Sequence, residues 1–457
     1  MKARIVVWIV FMLAAGAAHA GNSFNVKCSY SHTLADDPIV YPGKVGEAMV
    51  HEFFGNTSTN ANSTYDSLNS NRITTCDSKG DISAYWVPEL RRSSGIVLPD
   101  YQKTYYKNDQ AVVPIQTIPA GLEMLAGDHM GSAPNPHINF LCRGGSYTTV
   151  APTNCPVVTD NSGTYSQLDI SVHFPDCWDG KTLVPILRSD ARNVMSKLHA
   201  AAKGALNVAY RNSDGTCPSA YPVKIPELQL NVQYSLGNDP DLSGAQLSLD
   251  PIFQNGQWVP QWGSMYTAHG DFINAWHPES LQYIIDTCSN RETVAGTTCA
   301  SNIPTYYSKG SANVQLDSGG AVLPTNTTLD STPGSIVLIK FPMPANLNDF
   351  PYSGSYLQTF GGNTTDTVAI TLDLYAASTT WDDASNLPTA SACTSQRIGG
   401  IYLNNVQQVR NNDISSYVAS QKTAGATQIA LCIKNATGKT FQFSSRDGSW
   451  APGLYLK

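Results

Sequence analysis

The first 300 residues alternate short apolar or β-branched runs with polar turns, a pattern typical of β-strands. The pattern predicts strands at residues 48–54, 84–87, 168–174 and 227–234. Phe53 and Phe54 would point to opposite faces of such a strand, so one is expected in the core and the other elsewhere. Trp86 is also expected in the core.

Two stretches show helical spacing instead. The first can be capped by Ser189 or Asp190. Its apolar residues follow at Val194, Leu198, Ala202 and Leu206. The second helix begins at Pro278, a residue favoured in the first turn. Its apolar face consists of Leu281, Ile284, Ile285 and Cys288.

The last 150 residues are almost purely strand-like. Apolar or alternating runs predict strands at residues 335–341, 368–375, 428–433 and 440–443. Several short strands at this spacing indicate a β-sandwich or jelly roll.

The first twenty residues have the pattern of a signal peptide cleaved after Ala20. A positive start precedes an apolar run that is too short to span a bilayer, and no later run is long enough. We therefore predict an exported protein, extracellular or held in a periplasm or at a cell surface.

The chain is too long for one ordinary core, and eight of its ten cysteines precede residue 300. We predict a signal peptide (1–20), an N-terminal module carrying the candidate site (21–300) and a C-terminal β-sandwich (301–457). The expected fold class is mainly β. The N-terminal module is expected to be a disulfide-stapled, β-sandwich-like unit with a few helices.

Charge limits the classes of partner. Only 14% of the residues are charged, the formal net charge is −7, and no basic block occurs. These features disfavour nucleic acid and anionic membranes as partners. They leave the oligomeric state open.

Ten cysteines, an even number, fit an oxidising compartment, and no CxxC motif indicates zinc or redox chemistry. Sequence neighbours favour the bridges Cys142–Cys155, Cys288–Cys299 and Cys393–Cys432. The remaining cysteines would then form Cys28–Cys76 and Cys177–Cys217, although the sequence leaves other pairings open.

Four short segments concentrate ionisable and aromatic residues: HEFFGN, AGD, DCWDG and HGD. Cleavage of a glycosidic bond needs a protonated acid and a second carboxylate, and aromatic rings can stack on sugars. The segments therefore predict a glycoside hydrolase-like site, with a lyase less favoured. The candidate catalytic residues are His51, Asp128, Asp176, Asp179, His269 and Asp271.

Other interpretations stay open. Asp128 and Asp179 can be turn residues, and His32, His137 and His173 are expected to be surface or hydrogen-bonded histidines. A metal site of His51, His269 and Asp271 is a less favoured alternative because no tight ligand motif is present, and no cofactor is predicted. No GxSxG, HExxH, P-loop or GxGxxG motif occurs.

Ordered motifs give the N-terminal module a family resemblance. They include DPIVYPG, HEFFGNTS, YWVP, AGD, FPDCWDG and HGDF. Over about residues 24–290 the chain resembles the secreted family called domain of unknown function one-nine-nine-six. The resemblance implies a role with polysaccharides. Relatives often carry a histidine where this chain has Met49, and another before an Ala-Tyr pair, where this chain has Asn207-Val208-Ala209-Tyr210.

The C-terminal module resembles the DNRLRE family of β-sandwich domains over about residues 310–457. The motifs are WDD, DISSYV, QIAL and FSSRDG. Some relatives bind acidic polysaccharides, so the resemblance implies a polysaccharide or cell-wall glycan as partner. Arg446 can alternatively pair with Asp447 or Asp413 inside the sandwich. A non-catalytic glycan-binding or adhesion protein is the competing hypothesis for the whole chain.

Overall fold

The computed structural model describes residues 22–108, 114–185, 206–290, 304–324, 326–344, 352–363, 369–448 and 450–457. Three predicted features lie outside these residues: the signal peptide, most of the helix predicted after Ser189 or Asp190, and Cys299. The structure is 46% strand and 9% helix, which confirms the mainly β fold class.

Seventeen described strands form the N-terminal part. They are β1 Asn22–Leu34, β2 His51–Gly55, β3 Ala84–Pro88, β4 Leu90–Arg92, β5 Gly95–Val97, β6 Tyr101–Asn108, β7 Glu123–Gly127, β8 Ile138–Cys142, β9 Val158–Asp160, β10 Gly163–His173, β11 Cys177–Trp178, β12 Val208–Ala209, β13 Val223–Lys224, β14 Glu227–Gly237, β15 Gln246–Gln254, β16 Gln257–Ser264 and β17 His269–Ile273. Each of the four strands predicted here overlaps an observed strand.

One large antiparallel sheet dominates this part. Its order is β7-β17-β3-β2-β1-β6-β14-β10-β8, with β9 paired to β10, and the sheet is nearly closed. Phe54 packs in the main core, whereas Phe53 packs with Trp86 in a smaller core on the other face. The two rings lie on opposite faces as predicted, but both are buried, because apolar residues cover both faces of the sheet here. Two smaller sheets, β12-β11-β13 and β16-β15-β4-β5, flank the large one.

The C-terminal part is a sandwich of two six-stranded antiparallel sheets. Its strands are β18 Tyr306–Lys309, β19 Ala312–Leu316, β20 Val322–Leu323, β21 Thr328–Ser331, β22 Ile336–Pro342, β23 Ser355–Asn363, β24 Ile370–Ala377, β25 Cys393–Leu403, β26 Gln408–Asp413, β27 Gln428–Lys434, β28 Phe441–Ser444 and β29 Gly453–Leu456. One sheet runs β18-β29-β23-β28-β21 with β26 on β23, and the other runs β20-β19-β22-β27-β24-β25. Apolar residues of both sheets form one core.

Three α-helices lie among the described residues: α1 Tyr65–Ser70, α2 Pro278–Ile284 and α3 Ser415–Thr423. The helix predicted from Pro278 is confirmed. It continues as a π-helical turn over Ile285–Ser289. In the part of the chain that the structure describes, no helix has the length and apolar character needed to cross a membrane.

Disulfide bonds fasten both parts. Four predicted pairs are confirmed: Cys28–Cys76, Cys142–Cys155, Cys177–Cys217 and Cys393–Cys432. Cys288 is also disulfide-bonded, but the predicted partner Cys299 lies outside the described residues.

Helix α2 joins the two parts by packing on β18. The hydroxyl of Ser280 accepts a hydrogen bond of 2.9 Å from the Tyr307 backbone N–H. The carboxylate of Glu279 accepts one of 2.8 Å from the Lys309 N–H. The rings of Tyr283 and Tyr307 stack with centroids 4.3 Å apart. This junction therefore combines polar and aromatic contacts.

Candidate functional site

Three of the six predicted site residues meet on one face of the large sheet. His51 lies on β2, and His269 and Asp271 lie on β17. One nitrogen or oxygen atom from each side chain lies within 4.8 Å of the others, and all three residues are buried. We call these three residues the histidine–aspartate cluster.

Strand register brings the cluster together. Asp271 is paired with Trp86 on β3, and Trp86 is paired with Phe53 on β2. His51 precedes Phe53 by two residues, so their side chains share a face of the sheet. His269 shares the same face because it precedes Asp271 by two residues.

Gly127 allows β7 and β17 to approach each other beside the cluster. It is paired with His269 and has a φ of +90°. A Cβ at this position would lie 2.5 Å from the Ala268 carbonyl oxygen. Any other residue would therefore strain the backbone and displace the strand that carries the cluster.

Backbone carbonyls orient both imidazoles. Nδ1 of His51 lies 2.9 Å from the Asp36 carbonyl oxygen, and Nδ1 of His269 lies 2.9 Å from the Thr267 carbonyl oxygen. Because a carbonyl only accepts hydrogen bonds, each Nδ1 carries a proton and donates it. In the neutral rings, Nε2 is therefore the unprotonated nitrogen.

Burial controls protonation in the cluster. It lowers the pKa of His51 to about 4, because a charged imidazolium would lose its hydration. Burial also raises the pKa of Asp271 well above its usual value, and the charges of Asp37 and Asp250 raise it further. At neutral pH, His51 is therefore in the form that can accept a proton or bind a metal.

Asp128 and Asp179 lie in turns and do not belong to this cluster. Oδ1 of Asp128 accepts a hydrogen bond of 2.9 Å from the Met130 N–H. Oδ1 of Asp179 accepts hydrogen bonds from the N–H groups of Lys181 and Thr182, at 2.9 and 2.8 Å. Both patterns are typical of aspartates that stabilise turns.

Asp176, the remaining predicted residue, lies at a separate cavity of about 480 Å³. This volume is within the roughly 300–1,000 Å³ typical of small-molecule sites. We call it the charged cavity because of its ionisable and aromatic lining. These lining residues are Lys107, His137, His173, Asp176, Tyr210, Arg211 and Glu227.

One guanidinium joins the two carboxylates of the charged cavity. Nη1 of Arg211 lies 2.6 Å from Oδ2 of Asp176 and 2.7 Å from Oε2 of Glu227. The Arg211 backbone N–H also donates to Asp176, at 3.1 Å. Lys224 forms a further ion pair with Asp176. Both carboxylates are thus held in position by neighbouring cations.

A second network fixes His173 and Glu227. Nδ1 of His173 lies 2.7 Å from Oε1 of Glu227, and Nε2 lies 3.0 Å from Nδ2 of Asn139. Because the amide nitrogen donates, Nε2 accepts and Nδ1 donates to Glu227. Burial alone would raise the pKa of Glu227, but the His173 hydrogen bond and the Arg211 charge outweigh it and lower the pKa to about 2. Glu227 is therefore ionised at neutral pH.

His137 and Tyr210 form the aromatic side of the charged cavity. Their ring centroids lie 3.5 Å apart with an interplanar angle of 11°. The hydroxyl of Tyr210 donates to the His173 carbonyl oxygen at 2.8 Å. Burial lowers the pKa of His137, so its imidazole is neutral at neutral pH.

Comparison with known families assigns the N-terminal part. The family model described as "Domain of unknown function (DUF1996)" matches residues 37–276, which is more than half of the chain and includes both groups of residues. The chain belongs to the DUF1996 family. No curated protein matches it.

A second match, to carbohydrate-binding module family 96, covers residues 320–457 and follows the DUF1996 module. The predicted association with carbohydrate is confirmed, whereas the predicted DNRLRE name is not. Arg446 in this module pairs with Asp383 at 2.6 Å and with Asp447 at 3.4 Å. It therefore links neighbouring segments of the sandwich.

Met49 stands where DUF1996 relatives are expected to carry a histidine, and Asn207 begins the segment where a second one is expected. Both residues are buried in this chain. Met49 lines a small groove beside Trp258 and Trp262. Nδ2 of Asn207 donates to the carbonyl oxygens of Glu123 and Leu183, at 3.0 and 2.8 Å. Asn207 thereby connects two backbone segments.

The sequence alone does not predict a catalytic role for most of the residues that line the charged cavity in the DUF1996 module. His137 and His173 were expected to be surface or hydrogen-bonded residues, and the hydrogen bonds of His173 agree with that expectation. Tyr210, Arg211 and Glu227 were not singled out as site residues. The available signal was the predicted Cys177–Cys217 bridge, because it brings the segment containing Arg211 close to Asp176.

Between helix α2 and the C-terminal sandwich lies a further cavity of about 220 Å³. We call it the junction cavity. Its aromatic lining residues are Tyr283, Tyr307, Phe360 and Trp450. Phe360 and Trp450 stack with centroids 5.4 Å apart. The junction cavity is lined by residues 279–287 and by residues of the C-terminal sandwich.

Proposed function

We propose that this chain is a polysaccharide-active protein whose C-terminal module binds a glycan and whose DUF1996 module cleaves it at the charged cavity. The observation that carries the proposal is the pair of carboxylates, Asp176 and Glu227, held by Arg211 at a cavity large enough for a sugar unit. The matching carbohydrate-binding module supports the binding half.

The chemistry of the charged cavity supports hydrolysis of a glycosidic bond. Such enzymes place two carboxyl groups around the bond and pass through a positively charged sugar. The ionised Glu227 suits stabilisation of that positive charge, and Asp176 supplies the second carboxylate. The neutral imidazole of His137 can accept a proton from water.

A non-catalytic glycan-binding protein is the second candidate function. The observation that favours it is the pairing of both carboxylates with Arg211. The lowered pKa of Glu227 is also opposite to that of a glycosidase general acid, whose pKa is raised. In this case the cavity would hold sugar hydroxyl or carboxylate groups without breaking a bond.

Release of new reducing ends from a panel of neutral and acidic polysaccharides tests the enzyme proposal. We expect Asp176→Asn and Glu227→Gln each to lower the rate about 100-fold or more, as is typical when a catalytic acid–base or charge-stabilising group is lost. Asp241→Asn is the matched control because Asp241 is an exposed turn carboxylate, and its rate should stay unchanged.

Thermal unfolding of each variant separates a loss of chemistry from a loss of folding, and His137→Gln provides a second probe. Undiminished activity in a folded Asp176→Asn/Glu227→Gln double variant contradicts the enzyme proposal. Binding of the intact chain to a polysaccharide that yields no product supports the non-catalytic candidate.

The binding half is tested at the junction cavity. We expect Trp450→Ala to weaken binding of the intact chain to its polysaccharide by about tenfold, because an aromatic ring in contact with a ligand contributes roughly 0.5–1.5 kcal/mol beyond area burial. Tyr402→Ala is the control, since Tyr402 is exposed on the other sheet of the sandwich. Equal weakening by both variants would place glycan binding elsewhere.

A further inference from the structure

We propose that His51, His269 and Asp271 bind a divalent transition-metal ion. The site is separate from the charged cavity, so the inference does not depend on the proposed function. Two nitrogen donors and one carboxylate oxygen come from strands β2 and β17 of the same sheet.

Two atoms of this cluster are buried and have no hydrogen-bond partner among the described residues: Nε2 of His51 and Oδ2 of Asp271. His51 is 0% exposed and Asp271 is 3% exposed. Leaving a buried polar atom unsatisfied costs about 1–3 kcal/mol. A cation bound between these two atoms would satisfy both at once.

The hydrogen bonds of the rings are those of metal-binding histidines. A ligating histidine usually donates its other ring N–H to a carbonyl or carboxylate, which fixes the tautomer and the ring orientation. His51 and His269 both do this through Nδ1, to the carbonyls of Asp36 and Thr267. The tautomer that these bonds select leaves Nε2 as the ligating atom in each ring.

The separation of the donors suits a single ion. One potential ligand atom of each side chain, a ring nitrogen or a carboxylate oxygen, lies within 4.8 Å of the other two, whereas donors around an ion at about 2.0–2.2 Å are roughly 3–4 Å apart. Inward movement of less than about 1 Å would therefore complete the coordination. Side-chain rotation alone can supply a movement of this size.

The local charge also favours a cation. Asp271 forms no ion pair with a lysine or arginine in the described part of the chain, and the charges of Asp37 and Asp250 act on it unfavourably. Asp37 is fixed by hydrogen bonds from the N–H groups of Ile39 and Val40. A divalent ion would give the Asp271 carboxylate the cationic partner that it lacks among the described residues.

The donor set indicates the class of metal. Calcium and magnesium prefer oxygen ligands, whereas imidazole nitrogen with one carboxylate suits zinc, iron and related ions. In a second group of potential ligands, one atom from each of Cys28, Cys76 and Asp81 lies within 4.8 Å of the others. Its two sulfur atoms already form a disulfide, so they are not available as thiolate ligands.

Metal titration of the full chain tests the proposal. After removal of metal with a chelator and dialysis, Zn²⁺ is added in a calorimeter, and Co²⁺ is followed by its visible absorption. We expect one equivalent of each ion to bind. His51→Gln and Asp271→Asn should each weaken binding by about 100-fold or more, since each removes one of the three ligands.

His137→Gln is the matched control, because His137 lies in the charged cavity, and it should still bind one equivalent. Adding Zn²⁺ should raise the melting temperature of the wild type but not that of His51→Gln. If His51→Gln or Asp271→Asn does not fold, His269→Gln serves as a further variant. Failure to bind either ion, or binding that the cluster variants do not change, overturns the proposal. Since no substrate is involved, this result is independent of whether the chain cleaves a polysaccharide.

Discussion

At the scale of single residues, Arg211 determines the electrostatics of the charged cavity. Its guanidinium contacts both Asp176 and Glu227. Removal of Arg211 would therefore deprive each carboxylate of a charged partner. The side chain of Glu227 is only 9% exposed, which makes that partner important. Removing one member of a buried ion pair is expected to be more costly than removing an exposed one.

Glu227 should make the protein acid-sensitive. Its pKa is lowered to about 2 in the folded state, from 4.5 when unperturbed. The stabilisation is therefore present above about pH 4.5 and is lost as pH falls toward 2, up to roughly 3 kcal/mol in total. Urea unfolding of the wild type and Glu227→Gln at pH 7, 5, 4 and 3 should show a stability difference that narrows with acidification.

Asp241→Asn is again a suitable control, because Asp241 is exposed and its carboxylate accepts a hydrogen bond from the Ser243 N–H of the same turn. Its stability difference from the wild type should be small at every pH in the series. A difference between wild type and Glu227→Gln that is the same at pH 7 and pH 3 would contradict the assigned ionisation.

At the scale of elements, disulfides join strands to loops that have little regular secondary structure. Cys28 on β1 is joined to Cys76 across 48 residues, and Cys142 on β8 to Cys155 across 13 residues. Cross-linking distant residues stabilises a fold mainly by restricting the unfolded chain, and the restriction grows with loop length.

Removing the longer bridge should therefore be more destabilising than removing the shorter one. Loop-closure entropy predicts roughly 4 kcal/mol for Cys28→Ser/Cys76→Ser and about 3 kcal/mol for Cys142→Ser/Cys155→Ser. Denaturant unfolding of the two double variants under identical conditions measures the difference. A larger loss in the second variant would contradict the loop-length argument.

Much of this element structure could be predicted from the sequence. Alternating patterns located eight strands, such as Glu227–Gly237 and Gln428–Lys434, because inward and outward residues differ in polarity. The N-terminal proline and apolar spacing located Pro278–Ile284. Local patterns were sufficient here because each element carries its own signal.

The charged cavity could not be predicted in the same way. Arg211 and Glu227 form their ion pair only because a loop packs against the start of β14. No short sequence motif indicates that contact. The histidine–aspartate cluster was predicted as an alternative because HGD places His269 and Asp271 on one strand face. Its contact with His51 depends on register across β3, which the sequence pattern does not specify.

At the scale of the whole molecule, helix α2 holds the carbohydrate-binding module against the DUF1996 module. Ser280 and Glu279 accept hydrogen bonds from backbone N–H groups of β18. These bonds connect a side chain of one part to the main chain of the other. The two modules are therefore expected to unfold together.

A Glu279→Ala/Ser280→Ala double variant should uncouple the modules. It leaves the N–H groups of Tyr307 and Lys309 without their acceptors, at a cost of about 1–3 kcal/mol for each that stays buried. Calorimetry should show one unfolding transition for the wild type and two for the variant. An Asp66→Ala variant on the exposed side of α1 should keep one transition, and a single transition in both variants would contradict the coupling.

The position of β29 has a consequence for biosynthesis. Residues 453–456 lie between β18 and β23, although β18 is made about 150 residues earlier. While the ribosome is still adding the intervening residues, β18 has no neighbour on that side. The sheet of the C-terminal sandwich that contains β18 is thus completed only after β29 has been synthesised, when the DUF1996 module has had time to fold.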